Sequence, residues 1–258
     1  MPEMNSRQQF ILQQVIERGR VAVVELANLT GVSEVTIRHD LNLLEQRHYL
    51  QRRHGYAEPV DNEDLETRMM SHYPVKLRLA EFAAAKIKSG ETVFIENGSC
   101  NALLAQILSA RADIKLVTVS GYIARHLTHS AAEVILLGGH YQQRSETTVG
   151  PLTLRYLNEI DFDRAFIGVD GWRHESGFTG RDAKRSEVVN ALLCMDKEVV
   201  VLTDSSKFGA SFPCSLGRAG GITRVITDSG IPEEAKIALR AQGIMLDVVD
   251  EPDIETQN

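Results

Sequence analysis

From residue 92 onward the chain alternates short β-branched-rich runs with helical stretches, and this alternation limits the fold more than any other feature. The runs cover residues 92–96, 115–120, 133–137, 164–169, 198–204, 223–227 and 245–249. Helical spacing marks 101–108, 122–129, 182–195 and 233–242 between many of them. Buried parallel strands read as near-continuous apolar runs, and each return to the next strand needs a crossover, usually a helix. The pattern therefore predicts an α/β body with a mostly parallel sheet under helices.

The first 57 residues lack such runs and read as a helical head. Ser6 is a candidate N-cap for a helix whose stripe is Phe10, Ile11, Val15 and Ile16, and Gly19 ends it. A short extended piece at 21–23 precedes a second helix over 24–29 and a turn over 30–32. Ser33 is a strong N-cap for a third helix, with Val32 and Ile37 spaced for a hydrophobic staple. At about 100° per residue, Ile37, Leu41 and Leu44 fall on one face and belong to the core. The opposite face carries Val35, Thr36, His39 and Asn42, with Arg38 on its flank. Short side chains followed by cations suit a helix start that approaches base edges and phosphates. Residues 50–56 then read as a charged β-ribbon, a wing, with Arg52, Arg53 and His54 near its tip.

Charge distribution supports this reading. The chain of 258 residues has a formal net charge of −7. The head alone is close to neutral, at +1, and its cations concentrate between Arg38 and His54. A local basic stripe on an acidic protein is the footprint of a nucleic-acid module. The competing reading is a solvated basic face on a small helical domain. The wing cations favour DNA.

With 43% hydrophobic and 24% charged residues, disordered and fibrous classes are excluded. No aliphatic run is longer than that at 199–202, which is far short of a membrane span. No secretory leader is apparent, and Cys100, Cys194 and Cys214 have no C-x-x-C spacing. The expectation is a cytoplasmic protein without disulfides, metal or cofactor.

Residues 58–74 are acidic and lack a period, which marks a linker; a helix over 75–87 follows, closed by Gly90. Ligands of parallel sheets bind at the carboxyl ends of strands. Here those ends are Asn97-Gly98-Ser99-Cys100-Asn101, Ser120-Gly121-Tyr122, Gly138-Gly139, Gly168-Val169-Asp170-Gly171 and Asp204-Ser205-Ser206-Lys207. Any one could be an ordinary βα turn. Five together, one with a lysine, suggest a rim for a small polar anion such as phosphate. No dinucleotide fingerprint or P-loop occurs.

The run Val32-Ser33-Glu34-Val35-Thr36-Ile37-Arg38-His39-Asp40-Leu41, with Arg53-His54-Gly55 behind it, resembles the N-terminal signature of DeoR-family transcription regulators. The resemblance continues through Glu96-Asn97-Gly98-Ser99, Leu137-Gly138-Gly139, Phe166–Gly171 and Asp204–Gly209, in order and over nearly the whole chain. It implies a winged helix–turn–helix (residues 1–57), a linker (58–74) and a sugar-phosphate sensor (75–258) similar in fold to ribose-5-phosphate isomerase. It also implies a homo-oligomeric regulator, typically a repressor of carbohydrate genes, that responds to a phosphorylated sugar. Ser33, Val35, Thr36, Arg38, His39, Arg52, Arg53 and His54 would then face double-stranded DNA. Asn97, Gly98, Ser99, Cys100, Ser120, Gly138, Gly139, Asp170, Gly171 and Lys207 would line the effector site, with Tyr122, Trp172, Phe178, Thr179 and Arg181 as candidates for sugar choice. The sequence departs from the family pattern at His39 (usually Arg), Tyr56 (Gly), Glu96 (commonly Asp) and Cys100 (Thr). The alternative is an isomerase-type enzyme using Asp170, Glu175, Asp182 and Lys207 for proton transfer. The helical head argues against it.

Overall fold

The computed structural model describes residues 4–46, 49–59, 65–217 and 220–250 and divides into two compact units, Met1–Tyr73 and Pro74–Asn258. His48, inside the cation-rich stretch from Arg38 to His54, lies outside the described residues.

The first unit contains α1 (Ser6–Arg18), β1 (Val21–Ala22), α2 (Val23–Thr30), α3 (Glu34–Gln46), β2 (Leu50–Arg53), β3 (Tyr56–Pro59) and α4 (Leu65–Met70). The three strands form a sheet in the order β1-β3-β2. Ile11, Leu12, Val15, Leu26, Ile37, Leu41, Leu44 and Leu50 make the core. The stripes of α1 and α3 meet here as expected, except that Phe10 is exposed and its place in the core is taken by Leu12. Asn5, and not Ser6, caps α1: its side chain accepts the Gln8 N–H. Ser6 is already the first helical residue. Gly19 ends α1 at φ 74°, a conformation costly for residues with a Cβ. Ser33 Oγ accepts the Thr36 N–H at 3.3 Å, the cap predicted for α3.

The segment 58–74 is not structureless. Its first two residues finish β3, and α4 buries Leu65, Met69 and Met70, the last against the core of the head. Apolar spacing across six residues is too short to register as a helix against an acidic background. Residues 60–64 lie outside the described set.

The second unit is built on a seven-stranded sheet, ordered β15-β14-β12-β9-β4-β5-β6, with every pairing parallel. Its strands are β4 (Thr92–Ile95), β5 (Lys115–Thr118), β6 (Glu133–Leu136), β9 (Arg164–Ile167), β12 (Glu198–Leu202), β14 (Arg224–Asp228) and β15 (Met245–Val249). All seven predicted runs are strands. Most stop one or two residues earlier than the run, which leaves Glu96, Ser120, Leu137, Val169 and Asp204 in the loops beyond. The helices are α5 (Tyr73–Ala85), α6 (Ser99–Leu108), α7 (Gly121–His126), α8 (Pro151–Glu159), α9 (Ala183–Leu193) and α10 (Glu233–Ala241), with a 3-10 turn at Ser205–Lys207. Phe94, Val117, Phe162, Ile167, Leu192 and Val201 lie in the largest core cluster.

Two further sheets were not foreseen. The hairpin of β7 (His140–Gln142) and β8 (Thr147–Val149) follows β6. β10 (Gly171–Arg173), β11 (Gly177–Gly180) and β13 (Cys214–Leu216) make an antiparallel sheet. Strands of three or four residues, several containing glycine, carry too little alternation to be read from sequence.

Chain order reverses at the centre of the large sheet. From β4 the chain steps outward to β5 and β6, then returns to β9 on the other side of β4. Such a reversal opens a crevice at the carboxyl ends of the two diverging strands.

Candidate nucleic-acid interface and effector site

Helix α3 presents its predicted polar face to solvent. Val35 is 74% exposed, Arg38, His39 and Asn42 are exposed, and Ile37, Leu41 and Leu44 are buried. Ser33 and Thr36 hydroxyls lie 3.1 Å apart, so the two polar groups at the helix start hold each other. Asp40 was not singled out from the sequence. It is buried, and accepts hydrogen bonds from Arg7 Nε at 2.6 Å and Gln8 Nε2 at 3.0 Å, tying α1 to α3. The guanidinium of Arg7 is raised above its ordinary value by its hydrogen bond to Asp40 and by that charge.

The wing is a two-residue hairpin. His54 (φ 43°) and Gly55 (φ 85°) both take positive φ, as a type I′ turn requires. The Gly55 carbonyl accepts the Val23 N–H, which fastens the tip to the start of α2. Side chains alternate along a strand, so Arg52 and Arg53 leave the ribbon on opposite faces. The Arg52 backbone N–H donates to Glu45 on α3, whose carboxylate also lies 4.0 Å from the Arg52 guanidinium, whereas the Arg53 guanidinium lies 3.6 Å from Glu58 on β3. Arg38 Nη2 donates to Glu34 at 2.6 Å. Each of the three arginines thus has a carboxylate of its own module beside it, which moderates its charge toward an incoming phosphate.

The crevice of the second unit is narrow at its base. Glu96 Oε2 accepts the Gly168 N–H at 3.1 Å, joining the ends of β4 and β9. A Cβ on Gly168 would stand 2.9 Å from the Asn97 carbonyl, so glycine is needed there for room. Asn97 and Ser120 are brought together: Ser120 Oγ donates to Asn97 Oδ1 at 3.0 Å and caps α7 by accepting the Ile123 N–H. Asn97 Nδ2 donates to the Ser145 carbonyl in the β7–β8 turn. This amide orients the rim at both ends.

Helix α6 starts at Ser99 after Gly98 with no side-chain cap. The first N–H groups of an α-helix have no intrahelical partner and attract anions. Cys100 sits in this first turn, fully buried. Burial pushes its thiol up to about 12 against the pull of the nearby Lys76 charge; Asp204 raises it and Lys207 lowers it. Lys76 is a residue the sequence reading missed. It is 3% exposed, and its ammonium lies 3.7 Å from Asp204, which also accepts the Ser206 N–H. Lys76, paired with Asp204, and Lys207 are both near enough to Cys100 to act on its thiol, beside the open start of α6. A lysine on an amphipathic helix gives no sign of burial, so sequence spacing could not reveal it.

The remaining predicted residues sit elsewhere on the rim or in the packing. Asp170 accepts the Arg181 N–H, and Gly171 packs against the Ala210 carbonyl. Gly138 and Gly139 follow the edge strand β6 and pack on α8, where the Gly138 carbonyl accepts from Thr153. Tyr122, Trp172, Phe178 and Thr179 are buried, and the Trp172 ring packs on Phe178 and Phe208. Arg181 stacks over Phe212. Of the groups weighed for proton transfer, Asp182 caps α9. Burial pushes its carboxyl up, but the Arg185 N–H, the Gln142 amide and the Arg185 charge together hold it below the usual range. Glu175 is exposed on the β10–β11 turn.

Two family models match the chain: the DeoR-like helix-turn-helix domain over residues 7–63 and the DeoR C terminal sensor domain over residues 71–229. The chain belongs to the DeoR family. Among its relatives, the HTH-type transcriptional regulator FruR of Bacillus subtilis is 31% identical, over 86% of this chain and 90% of that protein. The HTH-type transcriptional repressor CsqR of Escherichia coli is 27% identical, over 92% of each. The glycerol-3-phosphate regulon repressor of Escherichia coli is 26% identical, over 95% of this DeoR-family chain and 99% of the repressor. These relatives are named as regulators, not enzymes. Ribose 5-phosphate isomerase A of Methanocaldococcus jannaschii is similar over 54% of this chain and 55% of that one, at 20% identity and a TM-score of 0.40. That likeness adds nothing to the α/β fold already described. Among the described residues, no helix is long and apolar enough to cross a membrane.

Proposed function

We propose that this DeoR-family protein is a cytoplasmic repressor of carbohydrate-metabolism genes whose grip on DNA is modulated by a phosphorylated sugar. The α3 face of Val35, Thr36, Arg38 and His39 reads the major groove, and Ser33 holds Thr36 in place. Arg52, Arg53 and His54 flank it as phosphate contacts from the wing. The chain acts as a homo-oligomer, so that two heads meet two half-sites.

The observation that carries the effector reading is that the uncapped start of α6 opens beside Cys100, whose thiol feels both Lys207 and the Lys76–Asp204 pair. That is the electrostatic environment a phosphate dianion needs. Ser99, Gly98 and the thiol of Cys100 border the phosphate, while Asn97, Ser120, Asp170 and Gly171 set the rim toward the sugar. Gly138 and Gly139 keep the rim tight against α8. A threonine at position 100 would offer a hydroxyl that Cys100 does not, which shifts ligand preference within the family.

A thermal-shift screen of pentose and hexose phosphates tests this reading. A binder raises the melting temperature by mass action, while its dephosphorylated sugar does not. A panel without any binder contradicts it.

A further inference from the structure

We infer that the face formed by α8 and the β6 edge is where a second copy of this chain docks about a two-fold axis. Among the described residues β6 pairs with β5 alone, so its other edge is open. Free edges are ordinarily blunted by charge or proline. Residues 134–137 are Val-Ile-Leu-Leu, and Glu133 at the end of the strand is paired with Lys115 at 3.0 Å. Beside this edge lies a mainly apolar groove of about 350 Å³, lined by Ile135, Leu136, Gly138, Tyr156 and Ile160, with Glu159 also in its wall.

A two-fold interface uses one patch twice, so that patch must hold both a projection and its recess. Leu152 is 57% exposed and stands one turn before Tyr156 on α8, beside the groove. The same face carries Arg155 and Glu159, both largely exposed and paired along the helix at 2.9 Å. When two α8 helices cross antiparallel, each Arg155 meets the Glu159 of the other copy. The charge pattern is therefore complementary to itself, which an unrelated protein or an extended peptide would not require. The inference deepens the proposed two-headed reading of DNA and rests on it for the purpose of the second copy.

Sedimentation velocity of the full chain tests it, using Leu152→Glu, Arg155→Glu, Glu159→Arg and the double swap Arg155→Glu/Glu159→Arg. All three side chains are exposed, and circular dichroism confirms that each variant folds. The wild type is expected to sediment as a dimer or a larger even assembly. Each single variant weakens the pairing by about tenfold or more. The double swap restores it. A wild type that runs as a single chain, a Leu152→Glu protein that assembles like wild type, or a double swap without recovery overturns the inference. So does a wild type that stays single and takes up an extended peptide or another protein on this face. Normal assembly with DNA binding unchanged in Arg38→Ala defeats the DNA reading alone. Normal assembly of Leu152→Glu with DNA binding lost in Arg38→Ala defeats this inference alone.

Discussion

Lys76 and Asp204 form a buried ion pair at the carboxyl end of the sheet, 3.7 Å apart with each side chain 3% exposed. Removing one partner takes the opposite charge away from the other in a dry site. Lys76→Met is expected to destabilise the fold by about 3–5 kcal/mol in urea unfolding. Lys76→Met/Asp204→Asn should recover most of that loss, because asparagine can still accept the Ser206 N–H. The double variant should nonetheless fail to bind a sugar phosphate, and retained binding would show that Lys76 does not serve the anion.

On the proposed DNA face, phosphate contacts and base readout fall to different side chains and can be tested apart. Arg38→Ala and Arg53→Ala should weaken duplex binding and each reduce the salt slope of log affinity by up to about 0.9. The neighbouring Glu34 and Glu58 make the measured loss smaller than that limit. Val35→Ser should change base preference in a selection from random duplexes while leaving the slope unaltered. Fluorescence anisotropy over a salt series reads the slopes, and unchanged slopes in both arginine variants would remove those residues from the interface.

How much of this was legible beforehand follows from what each side chain contributes. The five inner strands of the large sheet are buried and so appear as β-branched runs, while the edge strands β6 and β15 are partly exposed but keep the same composition. Ser33, Ile37, Leu41 and Leu44 announce α3 because a cap and a 3.6-residue stripe are local signals. Asp40 and Lys76 gave no such sign. Their burial depends on partners 33 residues away, for Arg7 with Asp40, and farther still for Asp204 with Lys76. The opposite facing of Arg52 and Arg53 becomes visible once the turn is fixed at His54-Gly55, since register then decides every side chain on the ribbon. Gly138 and Gly139 lie in the loop after β6, and Gly139 packs closely on Thr153 of α8, a contact that the glycine pair alone does not announce.

Cysteine reactivity should follow burial. Cys194 is exposed, Cys214 is partly buried and Cys100 is buried. A disulfide reagent at pH 8 should label Cys194 rapidly, Cys214 more slowly and Cys100 only on unfolding. In the folded state burial pushes the Cys100 thiol from its ordinary 9.0 up to about 12. The unfolded chain releases that proton first. The contribution to stability is complete below about pH 9 and is lost as pH climbs toward 12. Cys100→Ala should flatten the alkaline fall of urea stability, and an unchanged fall would place its cause elsewhere.

Gly168 marks the tightest contact between β4 and β9. A methyl group there meets the Asn97 carbonyl at 2.9 Å and Glu96 Oε2 at 3.3 Å. Gly168→Ala should cost about 1–3 kcal/mol and abolish the thermal shift from a sugar phosphate. Gly177→Ala, at a turn with open space around it, serves as the contrast: it strains a positive φ but should leave ligand binding intact.

The account rests on a DNA reader governed by a phosphate-sensing rim. The most direct measurement is duplex affinity of the full chain with and without each member of a sugar-phosphate panel, beside the matching dephosphorylated sugars. At least one phosphorylated sugar should shift the affinity, its dephosphorylated form should not, and Lys207→Met should erase the response while preserving duplex binding. An affinity untouched across the panel, or shifted equally by sugars lacking phosphate, would contradict the account.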